Sequence, residues 1–114
     1  MTTTQIPRHQ WNEYLAAFSA RNQTRRIIVD SESSEFGEQR LIEEKPLLGI
    51  EPDIRDGEES GITVIAGDPE GGVPAALTHE IKRPGAIWVK EDEQGRAQAL
   101  DIETPDGRTI IQFA

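Results

Sequence analysis

The apolar residues of this chain come in short runs rich in side chains branched at Cβ, and glycine, proline or Asp-Gly pairs separate the runs. Ile27-Ile28-Val29, Ile62-Thr63-Val64-Ile65, Ile87-Trp88-Val89 and Ile110-Ile111 are such runs. Thirteen Ile and four Val stand against six Leu. Branching at Cβ suits a pleated surface better than a helix. Breakers recurring along the chain leave pieces of strand length joined by hairpin-length links. A mainly β domain follows, and 114 residues are enough for one core without staples.

One segment breaks this pattern. Pro7 is tolerated in a first helical turn, and Trp11, Tyr14, Leu15 and Phe18 then recur at i, i+3, i+4 and i+7. That spacing predicts an amphipathic helix ending near Arg21-Asn22. The fold expected is α+β: one N-terminal helix packed on a mainly antiparallel, bent or partly closed sheet of about six strands. Residues 1–5 are expected to be a disordered tail and 6–114 a single domain.

Within that domain Arg25–Asp30 reads as the first strand and Ser31–Glu38 as a loop. Gln39–Glu43 and Leu47–Glu51 read as a strand broken at Pro46, which implies an edge or a bulge. A polar turn is expected around Asp56-Gly57. Gly61–Gly67 should be a central strand covered on both faces. Asp68–Pro74 is a loop by composition, and Ala76–Ile81 fits a strand or a short helix. Ala86–Lys90, Ala97–Glu103 and Thr109–Phe113 are strands joined by a charged hairpin loop at Glu91–Gly95 and a tight turn at Pro105-Asp106-Gly107. Alternation turns Ile87, Val89, Leu100 and Ile102 inward and Trp88, Asp101 and Glu103 outward.

The set Ile6-Pro7-Arg8, Trp11, Phe18-Ser19, then Leu47-Leu48-Gly49-Ile50, then His79, Ile81, Pro84, Ile87 and Val89, and finally Leu100, Ile102 and Asp106-Gly107 spans nearly the whole chain. In this set the chain resembles a family of small bacterial single-domain proteins, the domain of unknown function numbered 5335. The resemblance implies a stand-alone soluble domain and carries no activity. It also implies a Tyr-Asp or Tyr-x-Asp strand start where this chain has Pro52-Asp53.

Charge narrows the partners. Residues 1–29 carry +3, residues 30–70 carry −10 and residues 71–114 carry −2, for a net charge of −9. A phosphate backbone would be repelled over most of such a surface. No nucleic-acid partner is expected, and the acidic stretch 30–70 admits only a minor alternative as an acidic DNA mimic. With no cysteine, disulfides, Cys-type metal sites and thiol chemistry are excluded. No run approaches the 18 or so apolar residues of a membrane helix, and no signal-peptide stretch opens the chain. A cytoplasmic protein with no membrane association is expected.

No motif specifies a chemistry. Histidine occurs only at positions 9 and 79, and His9 with Glu13 at i+4 fits a surface pair better than a zinc site. Neither Gly57 nor Gly107 closes a calcium loop, because Pro52 and Ile54, or Ile102 and Thr104, stand where acids belong. The carboxylates of Glu43/Glu44 diverge on a strand, Glu58/Glu59 lie in a turn, and Asp101/Glu103 share the solvent face. No serine sits in a nucleophile elbow. No catalytic residue, metal or cofactor is therefore expected.

The weak candidates for a site are His79 and the basic cluster Arg21, Arg25 and Arg26. His79 shares a face with Leu77 and Ile81 and should be a half-buried structural residue, its N–H bonded to a carbonyl of the turn Arg83-Pro84-Gly85. The arginines suit a helix C-terminus and pairing with acids on neighbouring strands. The function expected is that of a non-catalytic protein-binding or accessory module with an unknown protein partner. A small-ligand binder or an enzyme with a site around His79 is the alternative, and a homodimer through an edge strand is a further possibility.

Overall fold

The computed structural model describes residues 1–55, 58–67 and 77–114. Eight strands form one antiparallel sheet: β1 (Thr2–Ile6), β2 (Arg26–Ser33), β3 (Gly37–Arg55), β4 (Glu58–Ala66), β5 (Leu77–Lys82), β6 (Ala86–Glu91), β7 (Ala97–Thr104) and β8 (Gly107–Phe113). Their order is β1-β6-β7-β8-β2-β3-β4-β5. Among the described residues a single α-helix, α1 (Trp11–Asn22), follows a short 3-10 turn at Arg8–Gln10. None of the described helices is long and apolar enough to cross a membrane.

The expected sheet of about six strands is thus corrected to eight. The supposed tail accounts for part of this, because Thr2–Ile6 pairs with β6 as an edge strand and Ile6 lies opposite Ile87. Threonine has high strand propensity, so the Thr2-Thr3-Thr4 run carries strand character without apolarity. The loop expected at Ser31–Glu38 shrinks to a turn: β2 continues to Ser33, and β3 begins at Gly37, directly opposite it.

The break expected at Pro46 is a bulged corner within one continuous strand. β3 runs for 19 residues, pairing with β2 up to Pro46 and with β4 from Leu47. The register slips between Ile27 and Val29 and again between Leu47 and Gly49, and Glu44 adopts a φ of 45°. Such bulges bend a strand and let it serve two sheet segments. Pro46 is tolerated there, and its carbonyl accepts from Gly67 N at 2.9 Å.

The sheet is bent but not closed, because α1 fills its hollow side. Trp11, Leu15 and Phe18 are 1%, 0% and 0% exposed. They pack into a core with Ile27, Val29, Ile50, Ile62, Val64, Ile87, Leu100, Ile102 and Ile111. Two polar ties fix the helix. Trp11 Nε1 donates to Ile6 O at 2.9 Å. Ser19 Oγ accepts from Ile50 N at 2.9 Å and donates to Ile50 O at 3.1 Å. β4 is central, as expected, but only one of its faces is fully buried: Ile62, Val64 and Ala66 are buried, whereas Thr63 and Ile65 are half-buried. Leu77–Lys82 is a strand and not a helix. The expected turn at Asp56-Gly57 and the loop at 68–74 lie outside the described residues.

Gly107 tests how tightly β8 starts against β2. A Cβ there would run into the carbonyl oxygen of Glu32 and lie 3.0 Å from Ser33 Cα, with φ at +157°. Both obstacles are backbone, so neither can swing away. Gly107→Ala is expected to cost about 1–3 kcal/mol, seen as a lower midpoint in urea unfolding. An unchanged midpoint would mean that β8 can shift away from β2.

Candidate functional site

The four residues singled out in the sequence do not form one site. His79 lies on β5 opposite Val64 and shares the inner face with Ile81, as the alternation requires. It is half-buried, and burial lowers its pKa against the smaller opposing effect of Glu80. The hydrogen bond expected from the turn is not made. Pro84 O accepts from Arg8 Nη2 at 2.9 Å instead, and His79 makes no side-chain hydrogen bond among the described residues.

Burial disfavours the charged imidazole, so the unfolded chain takes up a proton more readily than the native state. The contribution of His79 is therefore fully present above the unfolded pKa of about 6.5 and lost as pH falls through the lower native value. His79→Gln should flatten this part of the stability profile between neutral and mildly acidic pH. Parallel profiles for the variant and the parent would show that the ring is solvated in the native state.

The basic cluster splits. Arg26 is exposed, donates to Glu44 O at 3.1 Å and does not line the cleft shared by Arg21 and Arg25. Arg25 is a structural clamp. Its Nη1 donates to Asn22 Oδ1 at 2.8 Å and to Ala97 O at 3.0 Å, and its guanidinium lies 4.0 Å from the centre of the Phe113 ring. Burial and the nearby Arg96 both lower its pKa. Arg21 stays beside Arg25, and the β6–β7 hairpin brings Arg96 to the same cleft.

A second hollow opens on the outer face of the sheet, away from α1. It measures about 370 Å³ and is lined by Thr3, Trp88, Lys90, Ala99, Asp101, Glu103, Ile110 and Gln112. A neighbouring hollow of about 530 Å³ shares Ile110 and Gln112 and extends it over β2 and β3 to Asp30 and Arg40. Strand register builds this surface. Trp88 pairs with Asp101, Asp101 with Ile110, Ile110 with Asp30, and Asp30 with Arg40, giving one row across five strands. Half-buried Trp88, Ile110 and Ile28 form its apolar ground.

Two polar atoms in this row are buried without a partner: Trp88 Nε1, a donor, and Asp101 Oδ1, an acceptor. The other carboxylate oxygen of Asp101 accepts from Arg108 Nη1 at 3.0 Å. Burial raises the Asp101 pKa. Arg108 opposes that rise, and Glu103 adds to it. Native proteins leave few buried polar atoms unpaired, because each costs about 1–3 kcal/mol. Here a donor and an acceptor on directly opposed residues are both unpaired. At the far end of the row Arg40 grips Asp30 through two bonds, at 2.9 and 3.3 Å, on the exposed surface.

The sequence already placed Trp88 and Asp101 on outward positions. Their pairing is set by the register across the Glu91–Gly95 hairpin, which alternation alone does not give. Among the described residues, no three of His, Asp and Glu converge as a metal site.

The fold and its surfaces define a small α+β domain: an open antiparallel sheet wrapped on one helix, with a polar-and-aromatic hollow on its outer face. A sequence profile described as Family of unknown function (DUF5335) matches residues 2–114, and the chain belongs to that family. No curated protein and no solved structure matches the chain.

Proposed function

We propose that this protein is a non-catalytic, cytoplasmic protein-binding module whose partner docks on the outer sheet face over Trp88 and Asp101. The observation that carries this reading is the orphaned pair, Trp88 Nε1 and Asp101 Oδ1. Both atoms are closed to water in the free protein, so a partner's side-chain carboxamide would part the Trp88 and Asp101 side chains to satisfy both at once. The breadth of the two joined hollows suits a protein surface rather than a small molecule. Tryptophan over an apolar ground is a common interface anchor.

The test is affinity capture from the native host with the parent protein, Trp88→Ala, Asp101→Asn and His79→Gln as baits. A partner kept by the parent and His79→Gln and lost by the other two supports the reading. Identical capture by all four baits, or loss confined to His79→Gln, would defeat it.

A further inference from the structure

We propose that the cleft between the end of α1 and the β6–β7 hairpin is a separate binding site for a phosphate-type dianion carried by a small molecule. The cleft measures about 360 Å³ and is lined by Tyr14, Arg21, Asn22, Arg25, Glu91 and Arg96, with Gly95 and Ala97 at the hairpin. Three guanidinium groups and one carboxylate give this lining a charge of +2, in a chain whose net charge is −9. A strongly acidic protein has carboxylates to spare, yet among the described residues no carboxylate forms an ion pair with Arg21, Arg25 or Arg96.

A further carboxylate, Asp92, lies beside the cleft and acts on Arg25. Asp92 Oδ1 accepts from Gln94 N and Arg96 N, both at 2.9 Å, and Oδ2 accepts from Gln98 Nε2 at 3.3 Å. Asp92 therefore holds the hairpin in shape, positions Arg96 and offsets part of the positive charge around Arg25. Arg25 is fixed by its bonds to Asn22 and Ala97 and by Phe113, so one cation of the three is preorganised. The Tyr14 hydroxyl is kept protonated by burial and by Glu91, and so remains a donor. Guanidinium forks and a phenolic O–H match the oxygens of a phosphate group. Three guanidinium groups against Glu91 and Asp92 leave the cleft net positive, and a dianion that enters relieves the remaining repulsion among the arginines, which favours binding.

The site shares no residue with the Trp88–Asp101 face, so the two readings can fail independently. The probes are inorganic phosphate and glycerol phosphate, each titrated at constant ionic strength and followed by the arginine Nε–H and backbone amide NMR signals. Saturable shifts are expected at Arg21, Arg25 and Arg96 and along residues 94–97. Arg21→Gln and Arg96→Gln, both at exposed positions, should each weaken binding about tenfold, the loss of one charge-assisted bond. Arg26→Gln should leave it unchanged. Tighter binding of glycerol phosphate would assign the site to an organic phosphate, and equal or tighter binding of inorganic phosphate to the free ion. Shifts that do not saturate, or that survive both glutamine variants, would overturn the proposal.

Discussion

Trp11→Ala is expected to lower stability by about 3–5 kcal/mol, the usual cost of truncating a buried tryptophan. Domains of this size hold about 5–15 kcal/mol in total, so the variant should unfold at or near ambient temperature. Three contributions are lost together. The ring is 1% exposed and sits in the core under the bent sheet. Its N–H donates to Ile6 O, which anchors the end of edge strand β1. Arg8 lies 4.2 Å from its centre and reaches on to Pro84 O in the turn between β5 and β6. Loss of Trp11 therefore loosens the helix, the N-terminal strand and the link between the two ends of the sheet. Trp11→Phe keeps most of the packing and should lose about 1 kcal/mol for the missing hydrogen bond. Thermal melting checks both variants. An alanine variant melting within about 4 °C of the parent would mean a loss of 1 kcal/mol or less, too little for a core anchor.

Local pattern and long-range pairing account for what was and was not legible in the sequence. The helix was legible because Trp11, Leu15 and Phe18 repeat at helical spacing, and all three are buried. The inward set of β6 and β7 was legible because Ile87, Val89, Leu100 and Ile102 alternate with polar residues, and all four are buried. β1 was not, since its threonines are polar and only pairing with β6 makes them a strand. Nor was the unity of β3. Pro46 reads locally as a break at an edge or a bulge, while the hydrogen bonds to β2 and β4 that carry the strand through the corner are made by distant residues. The site was the least legible part. Arg21 and Arg25 are near neighbours in sequence and in the fold, but Arg96 reaches them only through the hairpin. Asp101 looked like one more solvated carboxylate, and only the register that sets it against Trp88 shows one of its oxygens shut away from water.

Asp101→Asn is expected to raise stability while weakening binding, and Trp88→Ala to cost little stability while weakening binding strongly, as a surface kept for a partner should. Burial holds the Asp101 carboxyl above the usual carboxylate range, so the native state binds its proton more tightly than the unfolded chain does. The stabilising contribution of that proton is complete below the unfolded pKa of about 4 and disappears as pH rises through the native value. At neutral pH the ionised group is a net cost. Asn has nearly the same shape and carries no charge to desolvate, and its carbonyl oxygen can still accept from Arg108. Asp101→Asn should therefore melt at or above the parent temperature at pH 7, with the advantage vanishing near pH 4. Trp88→Ala removes a half-buried ring from the outer face, not the core, and should cost far less stability than Trp11→Ala. Against a captured partner, however, loss of an anchoring tryptophan should weaken binding by about 2 kcal/mol or more, on the order of thirtyfold. The two indole N–H signals give an internal control, since the chain has only two tryptophans. The Trp88 signal should move when the partner is added, whereas that of Trp11, bonded to Ile6 O, should stay. An Asp101→Asn variant that is less stable at pH 7, or a Trp88 signal unmoved by a bound partner, would show that the orphaned pair serves the fold and not an interface.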